Sequence, residues 1–138
     1  MNRREFHELA ALRLAEAKAL LDAGFPDGAY YLAGYAVECG LTACLSRQTR
    51  QHDFPPEPRT VADMYTHELE KLISRAELRV QLDSEMLGDP IFADNWRTAR
   101  AWSERSRDER WSAAEAERLY RAIADRRHGV LRWIRRYW

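Results

Sequence analysis

The chain is poor in the residues that cross-link small folds or bind metals, with two cysteines and four histidines among its 138 residues. Cys39 and Cys44 are five positions apart in a segment predicted to be helical, which places them about 140° apart around the helix axis. We therefore expect neither a disulfide nor a shared metal site from this pair. The sequence predicts no metal and no cofactor.

The chain also lacks any apolar run close to the roughly twenty residues that a membrane-spanning helix needs. Its first eighteen residues, MNRREFHELAALRLAEAK, carry charges throughout and do not resemble a secretory signal. We therefore expect a cytoplasmic protein with no membrane contact. At this length the chain is predicted to form one domain over residues 1–138.

Strand, phosphate-loop and metalloenzyme patterns are missing as well. No segment alternates apolar and polar residues as a half-buried strand does, and the six glycines form no loop that could cradle a phosphate. The sequence contains neither the Glu-x-x-His pairs of di-iron bundles nor the His-Glu-x-x-His motif of zinc proteases. These absences favour an all-α protein that does not belong to those enzyme classes.

What the sequence does contain is a stripe of very small side chains between Asp27 and Arg47. The stripe recurs at steps of three and four residues and consists of Ala29, Ala33, Ala36, Gly40 and Ala43. Such small side chains let neighbouring helices approach closely, so the segment is predicted to be a buried central helix with partners on several sides. Asp27 is the expected N-cap of this helix, and Glu38 is the one acid among its inward-facing positions.

Further helices are predicted on both sides of the central one. A helix over Asn2–Leu21, ended by Gly24, should form an αα-hairpin with it. Three prolines make residues 51–60 an extended crossing. The later helices are predicted over residues 61–78, 79–90 (short, with Leu82, Met86 and Leu87 packing), 91–104 and 112–137. The last begins with a capping box of Ser112 and Glu115, and the architecture is an antiparallel four- to five-helix bundle.

Charge is distributed unevenly along the chain. Residues 1–96 hold 10 basic and 16 acidic side chains, a net charge of −6, whereas residues 97–138 hold 12 and 6, a net charge of +6. All five tryptophans lie from Trp96 onward. A basic, aromatic-rich segment is typical of surfaces that bind nucleic acid. It could equally cover the acidic part of its own chain or of a second subunit, and the neutral total charge favours that use.

Two stretches resemble the HEPN domain (higher eukaryotes and prokaryotes nucleotide-binding). Residues 24–45, GFPDGAYYLAGYAVECGLTACL, are similar to the family's Tyr/Ala-rich second helix, and residues 67–72, HELEKL, look like the His-x-Leu-x-x-Leu opening of its third helix. Trp102 with Arg107 is similar to a feature before the last helix, with Asp108 in place of the expected Tyr. The resemblance implies a HEPN-like homodimer, often beside a nucleotidyltransferase partner and, in many members, a metal-independent ribonuclease.

The HEPN ribonucleases carry an Arg and, after four to six intervening residues, a His. Arg121 and His128, with six residues between them, are the match in this sequence. His128 would transfer a proton at the ribose 2′-OH or the leaving oxygen, while Arg121 would hold the phosphate. On one helix the two would share a stripe with Asp125, Arg132 and Arg135. Such a stripe is also typical of a solvated face with i,i+4 ion pairs, and this interpretation is favoured.

Three more side chains are candidate ligand-binding residues. Glu38 needs a partner if it is buried, either an Arg of a neighbouring helix, which is favoured, or a ligand. Tyr31 and Tyr35 would stack on a nucleobase or pack at the helix rim, and packing is favoured. His67 is expected to form a hydrogen bond near the start of a helix rather than to act as a catalyst, and His7 is expected to be exposed.

Two functions of different classes remain. The favoured one is a non-catalytic, dimeric HEPN-type interaction module that acts with a partner such as a nucleotidyltransferase or binds a nucleotide or RNA. The alternative is a toxin-like, metal-independent ribonuclease, as in toxin–antitoxin pairs, that uses Arg121 and His128 across a dimer. Trp133, Tyr137 and Trp138 are expected either to form a subunit contact or to fold back on their own core.

Overall fold

A computed structural model describes the backbone of residues 1–52 and 66–138 and the side chains of residues 1–47 and 66–138. These residues form seven α-helices and one 3-10 helix and contain no strand. The α-helices are α1 (Arg3–Ala23), α2 (Pro26–His52), α3 (Leu69–Arg75), α4 (Arg79–Gly88), α5 (Pro90–Arg100), α6 (Ala113–Ala124) and α7 (Val130–Ile134); the 3-10 helix is Glu104–Asp108. The predicted all-α helical bundle is confirmed, with more helices than the four or five expected.

Helix α1 begins and ends where the sequence signals indicate. The Asn2 side chain accepts a hydrogen bond from the Glu5 N–H at 2.9 Å, and the Glu5 carboxylate accepts one from the Asn2 N–H at 2.7 Å. Gly24 ends the helix in the left-handed conformation, at φ +85°. Helix α2 starts two residues later and packs along α1, which is the predicted αα-hairpin.

Helix α2 is the central element of the core. The small side chains of its stripe are completely buried, as expected for Ala29, Ala33, Ala36, Gly40 and Ala43. Because these side chains are so small, neighbouring helices can approach α2 closely, and α2 contacts α1, α3, the 3-10 helix, α6 and α7. The predicted helix with partners on several sides is therefore confirmed.

The predicted N-cap role of Asp27 is wrong. Helix α2 begins one residue earlier, at Pro26, a residue favoured in the first helical position. Asp27 lies in the first turn, where its carboxylate accepts the backbone N–H of Trp111 at 2.6 Å. Trp111 also stacks on Tyr30, with ring centroids 3.6 Å apart. A donor 84 residues away in the sequence therefore binds the carboxylate that was expected to cap the helix.

The segment after α2 agrees only in part with the predictions. Helix α2 continues through residues 51 and 52, which were expected to be extended. The proline-rich crossing over residues 53–60 and the helix start near Val61 lie outside the described residues. Residues 66–68 are not helical and α3 ends at Arg75, so the helix predicted to reach residue 78 is shorter. Glu77, at φ +57°, lies in the turn that separates α3 from α4.

Helices α4 and α5 meet at Asp89, where the predicted break is confirmed. Asp89 accepts the backbone N–H groups of Ile91 and Phe92, each at 3.1 Å, and thereby caps α5. Of the residues predicted to pack on α4, Leu82 is buried and Met86 is partly buried. Leu87 is 88% exposed, so its predicted packing is wrong.

The predicted continuous helix over residues 112–137 is also wrong. Its capping box at Ser112 and Glu115 is present, but α6 ends at Ala124 and α7 begins at Val130. Between them the Asp125 carboxylate accepts the backbone N–H groups of Arg127 and His128, at 2.8 and 2.6 Å, in competition with helical hydrogen bonds. The backbone leaves no room for a side chain at Gly129, where a Cβ would lie 2.3 Å from the Asp125 carbonyl oxygen. The helical stripe proposed for Arg121, Asp125 and His128 therefore does not exist.

The aromatic residues at the end of the chain fold back on their own core. Trp133 is 2% exposed, and its ring centroid lies 5.6 Å from that of Phe92. Trp138 stacks on His7 with ring centroids 4.3 Å apart. His7 is consequently half-buried, which corrects the prediction that it is exposed. Of the two roles expected for these aromatics, the structure shows intramolecular packing.

Candidate functional site

The two predicted ribonuclease residues lie in different local structures. Arg121 is exposed on α6, and its guanidinium forms an ion pair with Glu117 one turn earlier, at 2.6 Å. His128 lies in the turn between α6 and α7, and its Nδ1 is 2.6 Å from Oδ2 of Asp89. Within the described chain, no hydrogen bond or ion pair joins Arg121 to His128. If Arg121 and His128 act together, a bound phosphate or a second subunit has to link them.

His128 is held in place from three directions. Asp89 binds its ring, Asp125 binds its backbone N–H, and the Asn95 amide donates a hydrogen bond to its carbonyl oxygen at 2.9 Å. The hydrogen bond with His128, with help from the backbone N–H groups that Asp89 caps, lowers the pKa of Asp89 below its usual value. Because Asp89 binds Nδ1, the other ring nitrogen of His128 is the one available for proton transfer.

Asp89 is a site residue that the sequence reasoning missed. Its position in Gly88-Asp89-Pro90 was interpreted only as a helix break. The same pattern, an Asp directly before a Pro that opens a helix, is a signal for an N-cap. That signal could have identified the capping role, but the partnership with His128, 39 residues away, is not visible in the sequence.

A groove of about 400 Å³ runs between α5 and α6 beside this turn. Small apolar side chains and polar groups line it: Ile91, Asn95, Thr98, Ala114, Glu117, Arg118, Arg121, Ala122 and Asp125. Two arginines beside hydrogen-bonding side chains on a small apolar surface can hold a phosphate ester. The same groove also holds the carboxylates of Glu117, which is paired with Arg121, and Asp125, so an anionic ligand would have to compete with them for the two arginines.

A second polar cluster surrounds Glu38, which is 5% exposed. Its partner is His67, through a short hydrogen bond to Nδ1, and not the Arg of a neighbouring helix that was favoured from the sequence. The other ring nitrogen of His67 lies 3.2 Å from the Glu104 carboxylate. The predicted hydrogen-bonding role of His67 next to a helix start is consistent with this geometry.

Burial governs the chemistry of this cluster. It raises the pKa of Glu38 above its usual value; the bond to His67 opposes that shift, and the nearby Glu104 adds to it. Burial likewise raises the pKa of Tyr35 to about 12, with further contributions from Cys39 and Glu38. Tyr35 and Tyr31 stack with ring centroids 6.0 Å apart. Packing at the helix rim, the favoured expectation for these tyrosines, is thus observed, whereas binding of a base stays a prediction.

The arginines at the end of the chain form an exposed basic surface. Between Arg118 and Arg136 the sequence has seven arginines and one acid, Asp125. All seven arginines are exposed. Only Arg121 and Arg136 form ion pairs with carboxylates of the described chain, and Asp125 is occupied by backbone N–H groups. The arginines without a carboxylate partner in that part of the chain are Arg118, Arg126, Arg127, Arg132 and Arg135. Within the described residues, ion pairs with acidic side chains therefore neutralise little of this charge.

The described residues also bear on metal binding and on membrane insertion. No group of three or more His, Cys, Asp or Glu side chains in residues 1–52 and 66–138 is arranged to hold a metal ion. Across the same residues, no helix has the length and apolarity that a membrane crossing requires. Cys39 and Cys44 are buried free thiols, and burial raises the pKa of each to about 12.

Comparison of the chain with protein-family models, curated proteins and solved structures finds no match. The HEPN resemblance therefore stays a prediction that rests on the sequence motifs.

Proposed function

We propose that this chain is a non-catalytic helical interaction module of the HEPN type, which acts as a homodimer and binds RNA through its arginine-rich surface. The observation that carries the proposal is the set of five exposed arginines, between Arg118 and Arg136, that have no carboxylate partner in the described chain. Arginine side chains held on helices and a tight turn present guanidinium groups to phosphates. A nucleotidyltransferase that itself binds RNA is a compatible partner.

Salt-dependent binding tests the proposal directly. Fluorescence anisotropy with a labelled single-stranded RNA should show binding that weakens steeply as salt is raised, since each phosphate contact releases counterions. Arg126 and Arg127 lie in the exposed turn before α7, where the hydrogen bonds of Arg127 to Asp125 and Arg132 are made by its backbone N–H and carbonyl groups. The double variant Arg126→Ala/Arg127→Ala should therefore bind more weakly and lose roughly 0.7 of the log–log salt slope for each contact removed.

A matched control removes the same charge from another part of the molecule. Arg3 and Arg4 lie in the first turn of α1, and Arg4 forms an exposed ion pair with Glu8. The double variant Arg3→Ala/Arg4→Ala should keep the wild-type affinity and salt slope. Equal loss in both double variants, or a wild-type protein whose binding does not respond to salt, would contradict RNA recognition by the arginine-rich surface.

A second candidate function is cleavage of RNA, and the Asp89–His128 contact is the observation that favours it. Asp89 fixes one ring nitrogen of His128, which leaves the other to act as a general base or acid. His128 lies directly before Gly129, the N-cap of α7, and Arg121 lies on the preceding helix, α6. Arg121 would then stabilise the phosphate charge.

The cleavage hypothesis has a simple test. Single-stranded RNA would be incubated with the wild type, with His128→Ala and with His7→Ala, in chelator and in magnesium. Cleavage in chelator that is lost only in His128→Ala supports the ribonuclease. If the wild type leaves the RNA intact under both conditions, the ribonuclease hypothesis is refuted.

A further inference from the structure

The indole of Trp138 is a half-buried aromatic ring beside the arginine-rich surface. It stacks on the imidazole of His7, with ring centroids 4.3 Å apart and an angle of 22° between the ring planes. Its benzene edge lies against α2, where a Cβ added at Gly40 would be 3.6 Å from Cζ3 of the ring. The indole is therefore held in place along one face and one edge. We call the stacked rings of His7 and Trp138 the indole platform.

A single cation lies over the indole platform. The guanidinium carbon of Arg135 is 5.7 Å from the centroid of the Trp138 ring, within the range of a cation–π contact. Because the imidazole of His7 fills one face of the indole, Arg135 marks the other. Carbon atoms in contact lie about 3.5–4.0 Å apart, so the guanidinium is not stacked directly on the ring centre. A flat group can therefore take this place on the ring.

A line of arginines leads from the α6–α7 turn to the indole platform. Nη1 of Arg132 donates a hydrogen bond to the carbonyl oxygen of Arg127 at 2.9 Å. Arg132 lies on α7 and Arg135 is its helical C-cap, three positions later, so the two are neighbours on the surface of the helix. Both are exposed, and neither pairs with a carboxylate among the described residues. Positive charge therefore continues from the turn up to the ring.

A track of cations that ends on an aromatic ring is the combination that single-stranded nucleic acids bind. Bases inside a duplex are stacked on their neighbours, whereas the unpaired bases of a single strand have free faces for an aromatic side chain. We infer that the indole platform is a base-stacking site, where single-stranded RNA places one base on Trp138 while its phosphates follow Arg135 and Arg132. The inference rests on the proposed RNA-binding function and adds the class of RNA bound, a single strand of any base composition.

Among the tryptophans, the platform has one possible competitor. Three are at most 3% exposed and closed to a ligand: Trp96, Trp102 and Trp133. Trp111 is half-buried, but it stacks on Tyr30 with ring centroids 3.6 Å apart, and its indole N–H donates to the Ser106 carbonyl oxygen. Trp111 therefore serves as the matched control for Trp138.

Fluorescence anisotropy tests the site with a short labelled RNA of mixed sequence, alone and annealed to its complement. Trp138→Leu should bind the single strand at least about fivefold more weakly than the wild type does, because it removes the stacking face. Its log–log salt slope should stay unchanged, since no cation is lost. Its affinity for the duplex should also stay unchanged, which shows that the variant is folded. Trp138→Phe keeps an aromatic face and should recover part of the single-strand affinity.

Tryptophan fluorescence reports on the contact itself. A nucleobase stacked on an indole quenches its emission, so unlabelled single-stranded RNA should quench the wild type. Trp138→Phe should lose most of this quenching, whereas Trp111→Phe should keep it.

The outcomes separate the stacking site from RNA binding in general. The indole platform is overturned if Trp138→Leu binds the single strand as well as the wild type does, if it loses affinity equally for the duplex, or if the quenching follows Trp111. Salt-dependent binding that is weakened in Arg126→Ala/Arg127→Ala would then still support the proposed function. A wild type that binds neither RNA refutes both.

Discussion

Substitution of Gly34 by Ala is predicted to be strongly destabilising, although alanine is the better helix former. Gly34 lies in α2, directly under the indole of Trp102, and an added Cβ would be 2.2–2.3 Å from three atoms of that ring. Carbon atoms in contact normally stay about 3.5–4.0 Å apart. The ring would therefore have to move by more than about 1 Å, although it is 97% buried and lies beside Tyr31, with ring centroids 6.0 Å apart.

The size of the effect follows from two opposing contributions. Replacement of glycine by alanine inside a helix is worth about 0.5–1 kcal/mol in favour of the variant. Overpacking of a closed site costs typically 1–3 kcal/mol, and complete loss of a large aromatic's packing costs about 3–5 kcal/mol. We therefore expect Gly34→Ala to reduce the free energy of unfolding by roughly 2–4 kcal/mol, which corresponds to a fall of about 8–16 °C in melting temperature for a domain of this size.

Urea and thermal unfolding measured by circular dichroism are the assays. Gly88→Ala is the matched control: Gly88 ends α4, and a Cβ there meets nothing within 4 Å, so this variant should be unchanged or slightly more stable. The stability of Gly40→Ala should lie between those of the other two variants, because the atoms nearest to its added Cβ are side-chain methyl groups at 3.1 and 3.2 Å. Gly34→Ala combined with Trp102→Leu should lose less stability than the two single changes added together. A Gly34→Ala protein as stable as the wild type would refute the close approach of Trp102.

Three further predictions concern ionisable groups. The pKa of Asp89 is lowered in the fold, so its contribution to stability is present above the unfolded carboxyl pKa of about 3.9 and is lost as pH falls through the lower folded pKa. In urea titrations, Asp89→Asn should therefore lose less unfolding free energy than the wild type over this acidic range. The raised pKa of Glu38 has the opposite effect on stability, because the folded chain binds this proton more tightly than the unfolded chain. The contribution of Glu38 to the free energy of unfolding therefore rises as pH falls through its folded pKa. Glu38→Gln should abolish this rise, measured as the urea concentration at the unfolding midpoint. Cys39 and Cys44, with pKa values of about 12, should react with a thiol reagent at pH 8 only at the rate of unfolding, and fast labelling of the native protein would contradict their burial.

The parts of the fold that were predicted from the sequence are those set by local chemistry. The small-residue stripe of α2 follows from spacing alone, and the capping box at Ser112 from two residues three positions apart. The break after α6 was missed because hydrophobic periodicity continues across it. Asp125 and Gly129 are turn-forming residues and carried the signal, but whether a turn wins over a helix depends on the packing of the segments on either side.

The candidate site was less predictable because its contacts are long-range. Glu38 was expected to need a partner, and burial explains why, but nothing in the sequence distinguishes His67, 29 residues away, from the many arginines. In the same way, Asp27 has the composition of a helix cap and instead accepts the Trp111 N–H. A short polar side chain has several local and distant donors within reach, and only the folded chain selects among them.

The break between α6 and α7 also bears on the choice between binding and cleavage. On a straight helix His128 would sit on a solvated stripe, whereas the turn gives it Asp89 as a partner. Asp89 already has a structural task, since the same carboxylate caps α5 through two backbone N–H groups. The Asp89–His128 contact therefore joins the start of α5 to the α6–α7 turn and has a sufficient reason to exist without catalysis. Arg132 donates a hydrogen bond to the Arg127 carbonyl oxygen and Arg135 lies over the Trp138 ring, but neither contact neutralises a charge. Around this turn the arginines without a carboxylate partner among the described residues therefore keep their charge available for phosphates, which is why RNA binding is favoured over RNA cleavage.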